Sequence, residues 1–217
     1  IMKKIAILIS GSGSNAQAII KACNSNIIAG KVIIVISNNP NAYGLIRAAK
    51  LGIETKIINH NNFNSRSEYE DVLENFLISL KPDLIVLAGF MRVLGDKIIN
   101  KFSNKMINLH PSLLPLYPGL NTHSKAIANN DSKHGISIHF VSSNLDAGPL
   151  IAQGVIQINN NEKIEKLIER IHKIEHLLLP EIVNELCTNN ISLVGDNVKF
   201  NNIDVKQNKF IIRNYEI

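Results

Sequence analysis

Asn108 and His110 stand two residues apart in Met106-Ile107-Asn108-Leu109-His110-Pro111-Ser112-Leu113-Leu114-Pro115. The first half of that stretch alternates apolar and polar residues, and a period of two puts the amide and the imidazole on one side of a strand. Pro111 and Pro115 then end regular structure, because proline donates no backbone N–H and restricts the residue before it. An amide and an imidazole side by side, where a strand runs out into a Pro-rich loop, are polar groups placed at the lip of a sheet for chemistry. The alternative is a strand end whose polar residues only cap the backbone.

A second candidate is Ser10-Gly11-Ser12-Gly13-Ser14-Asn15-Ala16, small residues between an apolar run and a helical pattern. Such a loop exposes N–H groups and the positive end of a helix, which suits an anion. It superficially fits the dinucleotide fingerprint, but that motif expects an acidic residue after the second strand, where this chain has Ser37-Asn38-Asn39. Lys-Ser/Thr is missing after the glycines, so it is not a nucleotide P-loop. A monophosphate site is the reading. Gly89-Phe90-Met91-Arg92 puts an arginine just past another apolar run, where it either lines a pocket or is solvated. Asp146, in Asn144-Leu145-Asp146-Ala147-Gly148-Pro149, is a turn former unless its loop folds back over Asn108 and His110. The other histidines (His60, His123, His134, His139, His172, His176) read as isolated, and no metal site is expected.

The elements that must position these residues follow from periodicity. Ile5–Ile9, 32–36 and Leu84–Leu87 are apolar runs bounded by turn residues, as in strands buried on both faces, and 55–58 reads as a further strand. Helical spacing covers 15–21, 43–51, 68–80 and 97–102. This alternation predicts an α/β protein with an open, mostly parallel Rossmann-like sheet and helices on both faces. Ligands bind beyond the C-terminal strand ends of such sheets, which is where Asn108 and His110 fall. After residue 120 a short helix (122–129), strands at 135–141 and 150–158, and a long helix over 164–186 interrupted by Pro180 are expected. The new strands should be antiparallel members of the sheet. A hairpin through Gly195-Asp196-Asn197 and a polar, mixed tail close the chain.

Bulk properties set outer bounds. The chain has 217 residues, 45% hydrophobic and 19% charged, with a formal charge of +5, an ordinary globular composition. Lys, Asn and Ile are abundant throughout, so the basicity does not by itself indicate nucleic acid, and 5% aromatics leave little for base stacking. Cys23 and Cys187 share no Cys-x-x-Cys or Cys/His context, so a reducing, cytoplasmic compartment is expected. The apolar run after Lys3-Lys4 stops at Ser10, too short for a signal peptide or a membrane span.

Taken together, the chain closely resembles the phosphoribosylglycinamide formyltransferases, folate-dependent transformylases of purine synthesis. The resemblance rests on Ser10 to Asn15, Ala88 to Arg92, Asn108 to Pro115, Tyr117-Pro118-Gly119, Gly135 to Val141 and Asp146 to Pro149, over roughly residues 3 to 190. It implies a single formyltransferase domain over 1–217. Its phosphate-binding half would be 1–105, its catalytic and folate-binding half 106–190, and its hairpin and tail 191–217.

The resemblance also implies formyl transfer from 10-formyltetrahydrofolate to the amine of glycinamide ribonucleotide, by a monomer or homodimer without metal, nucleic acid or membrane. Gly13, Ser14 and Asn15 would hold the substrate phosphate. Glu175 would lie by its ribose or glycinamide part, and His172 nearby where relatives often carry Gln or Lys. Folate would lie along Met91, Arg92, Val93 and Leu94, with Asn108, and along Ser142, Ser143, Asn144, Leu145 and Asp146; Arg66 would meet its glutamate tail. Asn108 and a protonated His110 suit an oxyanion on the formyl oxygen, and Asp146 would hold a water that relays the amine proton.

A methionyl-tRNA formylating relative would carry an RNA-binding domain after about residue 200. A 10-formyltetrahydrofolate hydrolase usually carries an N-terminal regulatory domain. A non-catalytic binding module could dispense with Asn108, His110 or Asp146.

Overall fold

The computed structural model describes residues 2–203, 205 and 209–217. Apolar runs become strands β1 (Lys3–Ile9), β2 (Gly30–Ser37), β3 (Thr55–Ile57), β4 (Leu84–Leu87) and β5 (Met106–His110). Between them lie helices α1 (Ser14–Asn24), α2 (Tyr43–Lys50), α3 (Arg66–Leu80) and α4 (Asp96–Phe102). Then follow α5 (Thr122–Ala128), β6 (Lys133–Phe140), β7 (Leu150–Gln157), α6 (Ile164–Cys187), β8 (Ile191–Val194), β9 (Asn197–Phe200) and β10 (Ile211–Asn214).

Eight strands form one sheet in the order β10-β7-β6-β5-β4-β1-β2-β3, and β8 pairs with β9 in a separate hairpin. Only β6 runs against the others in the large sheet, pairing antiparallel with both β5 and β7. The chain adds β2 and β3 on one side of β1 and β4 and β5 on the other. The loops after β1 and β4 therefore flank the point where strand order reverses, the place where such sheets open a crevice for ligands.

Two cores sandwich the sheet, as alternation requires. Ile5, Ile7 and Ile9 pack with Ile107, Leu109 and the buried faces of α1 and α6. Ala6 and Leu8 pack with Met106 and α3 and α4 through Tyr69, Leu73, Leu77, Ile98 and Phe102. Asn108 and His110 share the side of Met106 but stand at the strand end, where the helical cover stops.

Three expectations are corrected. Helix α3 starts two residues before the expected Glu68, because the Ser65 hydroxyl accepts from Glu68 N at 3.2 Å and the Glu68 carboxylate accepts from Asn64 N at 3.0 Å, a variant of the capping box. Pro180 does not interrupt α6. The helix runs through it, since Ile174, Leu178, Leu179, Ile182 and Val183 around it are all buried; that apolar burial outweighs the one hydrogen bond a mid-helix proline removes. The tail is not only polar loop: Ile211 is buried and β10 extends the sheet along β7 in parallel. Residues 204 and 206–208 of that tail lie outside the described residues.

Candidate active site

Strand β5 delivers Asn108 and His110 to a compact polar centre. The His110 Nε2 donates to the Tyr117 carbonyl at 2.8 Å, and its Nδ1 lies 3.4 Å from the Asp146 carboxylate. Because a carbonyl only accepts, the Nε2 proton is fixed there, and Nδ1 is the nitrogen that faces Asp146. Asn108 Nδ2 lies 3.2 Å from His139 Nε2 and 3.4 Å from Asp146 Oδ1. His139 stands opposite Asn108 across the β5–β6 ladder, and its Nδ1 donates to the Phe140 carbonyl at 2.9 Å. Burial holds the His139 ring below the ordinary imidazole value, against the upward pull of the Phe140 carbonyl and the Asp146 charge. A neutral His139 therefore offers its bare Nε2 to Asn108 and orients that amide.

Asp146 reaches this centre because its loop does fold back over β5. Gly148 makes the fold-back possible, since any Cβ there would collide with the Phe140 carbonyl. Asp146 takes the left-handed conformation, φ 50°, which aspartate tolerates better than most residues. Its Oδ2 accepts from Gly119 N at 2.8 Å, so one carboxylate ties together the loops that follow β5 and β6.

Beside the centre opens a cavity of about 670 Å³. Its walls are mainly apolar: Leu87, Phe90, Met91, Val93, Leu94, Leu109, Val141 and Leu145, with Ile164 and Ile168 from the start of α6. Arg92, Asn108, His110, Ser142, Ser143 and Asp146 supply polar points. Met91, Val93 and Leu145 are 68%, 54% and 54% exposed and together give the cavity mouth an apolar rim. Asn144 is not among the lining residues; its carbonyl accepts from Ser142 Oγ at 3.2 Å and braces the loop. Arg66 stands apart from the cavity, in an adjoining depression that shares Val93, Leu94 and Ser143 with it, and is paired with Glu70 at 2.6 Å.

The other predicted residues gather at the start of α1, outside the lining of the large cavity. Gly13 precedes the helix with φ 68°, offers no side-chain cap, and no acidic residue lies in the first turn; the one side-chain contact to a first-turn N–H is the long 3.4 Å bond from Ser14 N to Ser12 Oγ, so the N–H groups and positive end are available to an anion. Gly13 and Gly44 pack backbone to backbone, and a Cβ on either would clash with the other. Asn15 Nδ2 donates to Glu175 Oε2 at 2.9 Å. Burial pushes the Glu175 carboxyl above the usual carboxylate range, against the pull of the Asn15 hydrogen bond and of His172. His172 is exposed, one turn before Glu175 on α6.

Comparison with known proteins agrees with this architecture. Residues 3–183 match the model of the formyl transferase family. The chain belongs to that family. It is 43% identical over 182 residues to the phosphoribosylglycinamide formyltransferase of Haemophilus influenzae, covering 84% of this chain and 86% of that one. It is 42% identical to the Escherichia coli protein of the same name, covering 83% and 85%. A solved phosphoribosylglycinamide formyltransferase from Coxiella burnetii superposes with a TM-score of 0.92 at 40% identity, over 98% of this chain and 100% of that one.

This formyltransferase holds more histidines near the site than the sequence indicated. His123 Nδ1 and His134 Nε2 are 2.9 Å apart, and burial pushes both rings down to about 4. His123 lines the same cavity as His110. The His139 partnership with Asn108 spans 31 residues and needs the β5–β6 register to be seen. Tyr117 and Gly119 act through main-chain groups, which no side-chain pattern reveals. His172 and His176 do stand four apart with Glu175 between them, a spacing metal sites use on helices. Among the described residues, however, no three His, Cys, Asp or Glu converge as a metal site would require. No helix among them is long and apolar enough to cross a membrane.

Proposed function

We propose that the protein transfers the formyl group of 10-formyltetrahydrofolate to the amine of N1-(5-phospho-D-ribosyl)glycinamide, giving the N-formyl product and tetrahydrofolate in purine biosynthesis. The observation that carries this reading is the meeting of Asn108, His110 and Asp146 at one edge of a large, mostly apolar cavity. The uncapped start of α1 supports the phosphate end of the substrate. The names of the relatives point to the same substrate.

In this reading the flat pterin lies against the apolar wall, with Arg92, Ser142 and Ser143 as polar contacts, and Arg66 faces the glutamate tail. The phosphate rests on Gly13, Ser14 and Asn15, and Glu175 accepts from the ribose or glycinamide end, with His172 beside it. The free amine attacks the formyl carbon, and the C=O electron pair moves onto oxygen. Asn108 Nδ2 answers that charge, for its 3.4 Å bond to Asp146 is long and easily exchanged for a better acceptor. A proton on His110 Nδ1, held near Asp146, is the second donor. Each such donor is worth on the order of 10²–10³ in rate. Asp146 accepts the amine proton through a water and returns it to N10 as the C–N bond breaks. No covalent enzyme intermediate is needed.

Incubation of the purified protein with both substrates, followed by mass spectrometry, should give formylated ribonucleotide and tetrahydrofolate in equal amounts without added metal. Tetrahydrofolate formed with the ribonucleotide left unmodified would point instead to hydrolysis, with water in place of the amine.

A further inference from the structure

The Ser10 hydroxyl is one atom shared by the two ligand-facing loops. It donates to Asn38 Oδ1 at 2.6 Å and accepts from Met91 N at 2.8 Å. The Ser10 backbone adds two more ties: its N–H donates to the Gly89 carbonyl at 3.0 Å, and its carbonyl accepts from Asn39 Nδ2 at 3.2 Å. Ser10 opens the loop that leads to Gly13 and α1, while Gly89 to Arg92 forms a wall of the cavity. The loop between them has little slack, because Gly44 N donates to the Gly11 carbonyl at 3.0 Å and Gly13 is packed on Gly44.

A second route closes the ring. Asn38 is buried, and its carbonyl and amide lie 3.1 and 3.3 Å from His60 Nδ1. His60 meets the Tyr69 ring edge-on at 6.4 Å, and the Arg92 guanidinium sits over that ring at 5.2 Å. Met91 and Arg92 are thus both anchored, through Ser10 and through Tyr69, to the one buried amide of Asn38. None of these anchors reaches the Asn108–His110–Asp146 centre.

We propose that Ser10 is a positioning residue that couples the phosphate loop to the cavity wall, so that filling one substrate subsite tightens the other. The assignment of those subsites rests on the proposed function. A phosphate drawing in the N–H groups at the start of α1 stiffens the short loop, and Ser10 passes that constraint to Met91 N. Coupling of this kind is reciprocal for equilibrium binding.

Hydrogen exchange of the Met91 amide, followed by NMR with ribose 5-phosphate as the probe, reads the coupling without turnover. In the unaltered protein the amide should exchange slowly, and roughly five- to tenfold more slowly with the probe bound, the worth of about one hydrogen bond. In Ser10→Ala it should exchange faster and ignore the probe, while Ser10→Thr, which keeps the hydroxyl, restores the response. In the assay Ser10→Ala should raise KM for both substrates roughly five- to tenfold and leave kcat within about twofold, the mark of lost binding rather than lost chemistry. If Ser10→Ala does not fold, Asn38→Ala reads the same coupling from its other end, with a weaker probe response. A Met91 amide that ignores the probe in the unaltered protein, or one that still responds in the Ser10→Ala protein, overturns the proposal. Absence of turnover in the unaltered protein would instead contradict the formyl-transfer reading, and the exchange result would still decide the coupling.

Discussion

In the proposed reading the start of α1 and the end of β5 face the same problem, holding negative charge, and do so with different materials. At α1 the means are main-chain: an uncapped first turn, a left-handed glycine and a glycine-on-glycine contact with α2. At β5 they are side chains from separate segments: Asn108 and His110 from β5, His139 from β6 and Asp146 from the loop beyond it. A main-chain site is encoded by a few consecutive residues and tolerates side-chain change wherever no Cβ intrudes. A side-chain site depends on the register of two strands and on one loop folding back, so single changes there should be far more damaging to rate.

Asp146→Asn should have the largest effect. It removes the charge beside His110 and the proton acceptor while keeping the shape, and kcat should fall on the order of 10²–10⁴ with KM little changed. Steady-state kinetics with both substrates varied would show it, and a loss confined to KM would mean Asp146 only binds. Gly13→Ala tests the other site. A Cβ there meets Gly44 at φ 68°, so KM for the phosphorylated substrate should rise and stability fall by about 1–3 kcal/mol, with kcat falling much less than in Asp146→Asn. Chemical denaturation together with kinetics would separate those two effects.

The smallest expected effect is on stability against pH. His123 and His134 sit at about 4 in the fold, below the ordinary value of 6.5, so between those values the unfolded chain binds more protons. Their contribution is fully present above about 6.5 and is lost as pH falls toward 4. Replacing His134 by Gln should flatten the decline of melting temperature over that interval, and an unchanged slope would show that the pair does not titrate on unfolding.

What the sequence disclosed divides along the same line. Ser10-Gly11-Ser12-Gly13-Ser14-Asn15 was legible because all its information is local, as were the buried strands, whose apolar runs stop at turn residues. Asn108 and His110 were legible as a strand end beside a proline loop. The fold-back of Asp146 was not, because it depends on the clearance Gly148 leaves over Phe140. His139 was hidden for a related reason: its pairing with Asn108 exists only in the register of an antiparallel strand. Pro180 misled because local propensity forbids what the packing of α6 on the sheet sustains, and β10 was missed because Phe210-Ile211-Ile212 is a short apolar run inside a polar tail.

In the proposed mechanism Asn108, His110 and Asp146 act on the formyl group as one unit. A double-mutant cycle on kcat/KM with Asn108→Ala, Asp146→Asn and the pair together separates joint from independent action. If the unit is real, the double variant should be little worse than the more damaged single variant. If the two losses instead multiply in full, Asn108 and Asp146 work independently, and the account of a single polar centre at the end of β5 is wrong.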